Sequence, residues 1–214
     1  HKERLSNLCA NIASLYLQTA NYSSALEYYN TGLNYAGENL FSKILNLRGL
    51  GDVYSNLSNY SKSLYYYEEA KKLSLNIKDV SLQTSIDVSI GTLYYNVNKP
   101  IRALQFFLDA EKNIDPVSDP YSAENVFFKI GMAYSAVDSF ETGNKFYIKG
   151  LTSAESVKDI YYQILISTEQ SHNLYLNKDF NQAETLLLKL LAESKKNGLN
   201  QLYGLQNLYL AKIY

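Results

Sequence analysis

Few side chains in this 214-residue sequence could perform chemistry on their own. The only cysteine is Cys9, and the only imidazoles are those of His1 and His172. One thiol excludes an internal disulfide and a multi-cysteine zinc site, and two distant histidines make no metal-ligand motif. Cys9 lies on an apolar face of the first predicted helix, which favours a buried, unreactive thiol. We therefore expect neither a metal nor a cofactor.

Spacings typical of catalytic or phosphate-binding motifs are also missing. The sequence contains no Gly-x-Ser-x-Gly, no Gly-x-x-x-x-Gly-Lys and no His-Glu-x-x-His. Gly49 and Gly51 form a short Gly-x-Gly without a preceding strand, so we interpret them as glycines that allow close helix packing. We predict no catalytic residues and no enzyme activity in this region.

The charges are nearly balanced, with 20 Lys and Arg against 21 Asp and Glu. Nucleic-acid-binding surfaces concentrate positive charge because phosphate neutralisation supplies most of their affinity, so we expect no direct nucleic-acid binding. Apolar runs such as 186–188 and 190–191, which Lys189 separates, are too short for membrane insertion. The absence of an opening signal peptide favours the cytoplasm, with the periplasm as the alternative if the region belongs to a membrane sensor.

Tyrosine is the unusual component of the composition, with 21 residues, and it follows a repeat. Four segments have the pattern apolar-small-x-x-Tyr, and their tyrosines are 38, 40 and 40 residues apart. Leu174 and Tyr214 continue the register at the same interval. The four segments are 12–16, 50–54, 90–94 and 130–134. A spacing kept over the whole chain indicates a repeat architecture.

A second motif follows each of these segments and predicts a second helix. Ring-containing, small, aromatic and small residues recur at i, i+3, i+7 and i+10, which places them on one helix face. Small residues allow a neighbouring helix to approach, while the aromatic rings fill the space beside it. The motif reads Tyr22, Ala25, Tyr29, Gly32, then Tyr60, Ser63, Tyr67, Ala70, then Pro100, Ala103, Phe107, Ala110, then Phe140, Gly143, Tyr147, Gly150, and in modified form Phe180, Ala183, Leu187, Leu190.

The two motifs together predict an all-α fold of five antiparallel helix pairs and one terminal helix, forming a single array over residues 1–214. Asn21, Asn59 and Asp179 are predicted turn or N-cap residues, and Pro100 suits the first turn of a helix. A longer loop is predicted at 115–120. The predicted repeats are 5–38, 39–78, 79–118, 119–157, 158–198 and a partial repeat at 199–214.

The combined pattern resembles the tetratricopeptide repeat (TPR) family, in the subgroup with a period near 40 rather than about 34 residues. The resemblance covers essentially the whole chain and implies a right-handed helical solenoid. Two features depart from the family pattern. The proline that closes a repeat occurs only near Pro116, and the early tryptophan is replaced by Cys9, Leu47, Asp87 and Phe127.

The resemblance also implies that one stripe of each first helix lines a concave peptide-binding groove. Asn and Ser side chains there can bond an extended peptide backbone, and apolar positions can select side chains. Because Asp52 offsets Arg48 one turn away, a clamp for a terminal carboxylate is not expected. The predicted groove residues are Arg48, Asp52, Ser55, Asn56, Thr92, Tyr95, Asn96, Phe128, Met132, Ser135, His172 and Tyr175.

Two functions follow from this interpretation. The first is a scaffold that binds a protein or peptide ligand in the groove. The alternative is a sensor or regulatory TPR region of a larger bacterial signalling protein, either a histidine kinase or a DNA-binding regulator. The apolar pattern of helix 199–214 predicts that the natural chain continues past Tyr214 or that a partner covers this helix. A capping helix at the end of the array and self-association through this helix are the alternatives.

Overall fold

The computed structural model describes residues 1–214 as eleven α-helices without strands. The all-α fold of five helix pairs and one terminal helix is therefore confirmed. We call the first helix of each pair helix A and the second helix B, so that each pair is one repeat. The helices are α1 (Lys2–Gln18), α2 (Tyr22–Ala36), α3 (Leu40–Asn56), α4 (Tyr60–Ser74), α5 (Val80–Asn96), α6 (Pro100–Glu111), α7 (Pro120–Ser135), α8 (Phe140–Ser156), α9 (Ile160–Leu176), α10 (Phe180–Lys196) and α11 (Asn200–Ile213).

Side-chain caps explain where most of these helices begin. Asn21, Asn59 and Asp179 each accept a hydrogen bond from a backbone N–H in the first turn of the next helix, as predicted. Pro100 is the first residue of α6, where its missing N–H leaves no hydrogen bond unmade. The same capping contact is made by Asn39, Asp79, Asp119 and Asp159.

The chain divides into two compact units, His1–Asn113 (unit 1) and Ile114–Tyr214 (unit 2). The division lies in the loop between α6 and α7, next to the predicted break at 115–120. Unit 1 contains repeats 1 to 3, and its core includes Ile44, Leu50 and Ile90. Unit 2 contains repeats 4 and 5 and α11, and its core includes Ile164 and Ile166. None of the eleven helices combines the length and apolar character needed to cross a bilayer.

Aromatic rings of the B helices pack directly on glycines of the A helices. A Cβ atom added to Gly51 would lie 2.4 Å from a ring carbon of Tyr67, and one added to Gly49 would lie 2.1 Å from the ring of Tyr29. Such distances leave no room for an alanine. The interpretation of Gly49 and Gly51 as helix-packing glycines is confirmed. The same contact pairs Phe107 with Gly91 and Tyr147 with Gly131.

A second set of rings forms one stacked pair within each of the first four repeats. The helix A tyrosine of the repeat stacks on a ring twelve residues later in helix B, with centroids 5.4 to 5.6 Å apart. Offset-stacked rings attract each other, and this attraction adds to the stabilisation that comes from burying their surface. The register tyrosines are therefore structural, as the pattern indicated. The pairs are Tyr16–Tyr28, Tyr54–Tyr66, Tyr94–Phe106 and Tyr134–Phe146.

Candidate functional site

The predicted groove residues of unit 1 lie on α3 and α5, which contact each other. We call this set the unit 1 stripe: Arg48, Asp52, Ser55, Asn56, Thr92, Tyr95 and Asn96. Asn56 and Asn96 are exposed and occupy equivalent positions one repeat apart, while the other members are partly buried. The structure therefore brings polar side chains from two successive repeats onto adjacent helices.

Arg48 and Asp52 do more than offset each other's charge. The hydroxyl of Tyr67 donates a 2.6 Å hydrogen bond to Oδ1 of Asp52, and Nη1 of Arg48 donates a 2.9 Å hydrogen bond to Oγ of Ser85. Nε of Arg48 is buried without a hydrogen-bond partner. These contacts tie the stripe to α4 on one side and α5 on the other, which holds both charged groups in place.

Burial governs the acid–base behaviour of this cluster. Desolvation raises the pKa of the Asp52 carboxyl, and both the Arg48 charge and the Tyr67 hydrogen bond oppose that rise. Desolvation, followed by the neighbouring Asp52 charge, raises the pKa of Tyr29 to about 12. A polar but weakly hydrated wall of this kind favours hydrogen bonding to an uncharged ligand group.

The predicted groove residues of unit 2 lie on α7 and α9, which also contact each other. We call this set the unit 2 stripe: Phe128, Met132, Ser135, His172 and Tyr175. Phe128 is only 6% exposed and packs with Tyr147 and Ile166, so it forms the floor below the stripe rather than its surface. The other four members are partly buried.

Ser135 connects the two A helices of unit 2 through hydrogen bonds. Its hydroxyl donates to Oδ1 of Asn173 over 2.6 Å and lies within hydrogen-bond distance of the Gly131 carbonyl. Nδ2 of Asn173 in turn donates to the Phe140 carbonyl over 2.9 Å. Because Ser135 already has these partners, its role in the stripe is to fix α7 against α9.

His172 lies in a stack of rings. Its imidazole is parallel to the Tyr209 ring, with centroids 4.2 Å apart, and parallel to the Tyr175 ring at 6.0 Å. Burial, followed by the charge of Lys212, lowers the pKa of His172 to about 4. The imidazole is therefore neutral at pH 7 and can both donate and accept a hydrogen bond.

Beside this stack, Glu169 joins α9 to α11 through a hydrogen bond. Its Oε1 accepts a 2.9 Å hydrogen bond from the Tyr209 hydroxyl. Burial raises the pKa of Glu169 and lowers the pKa of Lys129, and the attraction between these two opposite charges works against both shifts. Nowhere in the molecule do three or more His, Cys, Asp or Glu side chains come together to hold a metal ion.

Sequence reasoning missed one buried acid in unit 2. Glu124 is 2% exposed, and its Oε2 atom has no hydrogen-bond partner. Burial, followed by the charge and hydrogen bond of the nearby Asp159, raises the pKa of Glu124 to about 7. Aligning the repeats could have revealed it, because Glu124 occupies a position that carries a small or apolar residue in the other repeats. These residues are Ser6, Ile44, Thr84 and Ile164.

Comparison with known protein families identifies the first repeat. Residues 6–39 match the model of the tetratricopeptide repeat, one residue out of step with the first predicted repeat at 5–38. Residues 6–39 are therefore a tetratricopeptide repeat, and the other helix pairs share its helix–turn–helix architecture. TPR proteins generally mediate protein–protein interaction, and TPR scaffolds are generally non-enzymatic. No curated protein matches the chain.

Known structures share the TPR fold at low sequence identity. A signal-transduction ATPase (STAND) protein with a TPR sensor, from Pyrococcus horikoshii, matches with a TM-score of 0.83 and 19% identity over 94% of this chain and 31% of its own. A Rap protein complexed with competence and sporulation factor matches over 100% of this chain and 64% of its own, with a TM-score of 0.74 and 13% identity. Aspartyl phosphate phosphatase F from Bacillus subtilis gives a TM-score of 0.72 and 10% identity, over 100% of this chain and 60% of its own. At these identities the likeness concerns the fold alone.

Proposed function

We propose that this chain is a protein- or peptide-binding scaffold, and that the unit 1 stripe and the unit 2 stripe are the surfaces that bind the ligand. The observation that carries the proposal is the arrangement of uncharged hydrogen-bonding groups on adjacent A helices. The Rap protein complexed with competence and sporulation factor supports it by analogy of fold. No catalytic role is proposed for any residue of the chain.

The unit 1 stripe suits the backbone of an extended segment. Asn56 and Asn96 repeat one amide per A helix at the exposed end of the stripe. Nδ2 of Asn56 donates to the Asp52 carbonyl over 2.9 Å, which orients the amide and leaves its oxygen for a ligand N–H. Side-chain amides that repeat along a surface can pair with successive peptide groups of a partner.

The unit 2 stripe suits a side chain rather than a backbone. Met132 and Tyr175 offer partly buried apolar surface, and His172 stacks a neutral imidazole on the rings of Tyr175 and Tyr209. Methionine adapts its shape to different ligands, while the stacked rings are rigid. We infer that this stripe accepts an apolar or aromatic group that carries one hydrogen-bonding atom.

Affinity measurements with stripe variants test this function. Peptides selected from a displayed library by the 214-residue chain would be titrated calorimetrically against Thr92→Arg, Met132→Arg and the matched control Thr152→Arg on the exposed surface of α8. At least one stripe variant is expected to weaken binding tenfold or more, since the arginine fills the site, while the control keeps wild-type affinity. Equal affinities of all four proteins would refute the proposal.

A second candidate function is that of a sensor region in a larger bacterial signalling protein, such as a histidine kinase or a DNA-binding regulator. The observation that favours it is the match to the sensor-bearing STAND protein, of which this chain spans 31%. Sequencing the full-length messenger tests this idea. A coding region without a kinase, ATPase or DNA-binding segment would contradict it.

Self-association through α11 stays a prediction. Leu208 is 56% exposed and Tyr203 is 39% exposed, so α11 presents apolar surface to solvent. Light scattering over a dilution series measures the oligomeric state, and a constant monomer mass would contradict the prediction.

A further inference from the structure

Repeat 5 lacks the stacked ring pair that the other four repeats contain. The two positions that hold Tyr134 and Phe146 in repeat 4 hold Leu174 and Leu186 in repeat 5. Both leucines line a surface depression of about 600 Å³ in unit 2, within the range of ligand-binding clefts. We call this depression the repeat 5 notch. Its lining residues are Asn144, Gln170, Leu174, Asn181, Gln182, Thr185, Leu186 and Lys189.

The polar lining of the notch also departs from the repeat pattern. Gln170 occupies the position of Leu50, Ile90 and Ile130, each of which is at most 1% exposed. Nε2 of Gln170 donates a 2.7 Å hydrogen bond to Oδ1 of Asn144. That bond leaves the Gln170 oxygen as an acceptor and the Asn144 amino group as a donor at one edge of the notch.

Lys189 places a positive charge at the notch, and no aromatic ring lies beneath it. Its equivalent in repeat 4, Lys149, lies 4.5 Å from the Phe146 ring centroid and 5.1 Å from that of Phe127. In repeat 5 those two ring positions are Leu186 and Ser167. The only ion-pair partner of Lys189 is Glu193 at 3.9 Å, and the Lys189 side chain is 74% exposed. The ammonium group can therefore swing over a ring placed in the notch, as Lys149 does over Phe146.

We propose that the repeat 5 notch binds a tyrosine side chain of a partner polypeptide. The ring would fill the space that an internal aromatic pair fills in repeats 1 to 4, against Leu174 and Leu186. Its hydroxyl would donate to the Gln170 oxygen, and Lys189 would lie over its face. Rigid aromatic side chains of this kind are the usual anchors of protein interfaces. The inference adds a second contact to the proposed binding function but uses no residue of either stripe, so failure of the stripe assignment would leave it intact.

The test uses N-acetyl-tyrosinamide as the probe and follows the backbone and side-chain amide resonances of the ¹⁵N-labelled 214-residue chain. Saturable shifts are expected at Asn144, Gln170 and Lys189, with weaker binding of N-acetyl-phenylalaninamide and none of N-acetyl-leucinamide. Shifts that are linear in probe concentration, or that fall outside the notch, would overturn the proposal.

Two variants and a matched control sharpen the result. Leu174→Tyr with Leu186→Phe restores the ring pair of repeat 4, so the protein should fill its own notch and bind the probe at least tenfold more weakly. Gln170→Leu restores the apolar residue of the other repeats and should remove the preference for tyrosinamide over phenylalaninamide, even if the double variant does not fold. Leu188→Tyr adds a ring on the same helix at an exposed site outside the notch and should leave binding unchanged. Wild-type affinity in the folded double variant, or an unchanged preference in Gln170→Leu, would overturn the assignment.

Discussion

The ring of Tyr67 lies so close to the Cα of Gly51 that a Cβ atom at this glycine would lie 2.4 Å from Tyr67 Cε1. Tyr67 is 3% exposed and its hydroxyl is held by Asp52, so the ring has little freedom to retreat. The contact joins α3 to α4 in repeat 2 and shows why a glycine occupies the middle of a helix there.

Gly51→Ala is expected to destabilise the protein. Overpacking a buried contact costs about 1–3 kcal/mol, which exceeds the roughly 1 kcal/mol that alanine contributes in a helix. Gly204→Ala is the matched control, because a Cβ at this helical glycine meets open space. Urea unfolding should show a lower free energy of unfolding for Gly51→Ala and an equal or higher one for Gly204→Ala. A stabilised Gly51→Ala protein would contradict the packing.

Tyr67→Phe is expected to lower the free energy of unfolding by about 1–3 kcal/mol, because it removes a hydrogen bond to a poorly hydrated carboxylate. The ring contact with Gly51 remains in this variant, so the loss reports the hydroxyl alone. Tyr65→Phe, at a tyrosine that is 58% exposed two residues earlier, is the control and should change stability by less than about 0.5 kcal/mol. Similar losses of unfolding free energy in both variants would show that the hydrogen bond from Tyr67 to Asp52 does not stabilise the protein.

Glu124 is expected to make the stability of the protein depend on pH. Its pKa in the fold is about 7, above its ordinary value of 4.5, so the folded protein retains a proton that the unfolded chain releases. The stabilising effect of this proton is complete below pH 4.5 and is lost as the pH rises through 7. Urea midpoints at pH 5 and pH 8 should therefore differ more for the wild type than for Glu124→Gln.

Glu141→Gln provides the control for that experiment, since Glu141 is exposed on α8. It should retain the wild-type pH dependence, while Glu124→Gln should be the more stable protein at pH 8. If the urea midpoint changed between pH 5 and pH 8 by the same amount in the wild type and in Glu124→Gln, Glu124 would be ionised over this whole range.

His172 is expected to stay neutral down to about pH 5. Its pKa of about 4 lies below the ordinary value of 6.5, so the unfolded chain takes up a proton before the folded protein does. The contribution of His172 to stability is therefore complete above pH 6.5 and is lost as the pH falls towards 4. Titration of the imidazole ¹³C resonances measures the pKa directly.

Two variants separate the causes of that shift. Tyr209→Ala exposes the imidazole and should raise the pKa of His172 more than Lys212→Met, which removes only a charge, because burial is the larger cause. A wild-type midpoint near 6.5, or a larger effect of Lys212→Met, would contradict the stacked, desolvated environment.

The sequence by itself determined the number and type of the helices and where several of them begin. Those features are local: Asn59 and Pro100 mark helix starts through their own chemistry, and the spacing of small and aromatic residues defines the packed faces. The helix-packing role of Gly51 was also predicted from the sequence, whereas the ring that packs on it was identified by the structure.

The tertiary structure alone decided the environment of individual side chains. Phe128 occupies a predicted groove position, yet the structure buries it against Tyr147 and Ile166. The low pKa of His172 comes from burial and from the charge of Lys212, 40 residues later. The high pKa of Glu124 comes from burial and from Asp159, 35 residues later. Burial and charge at these positions come largely from side chains of the next repeat or of α11, so a helical pattern read along one repeat does not predict them.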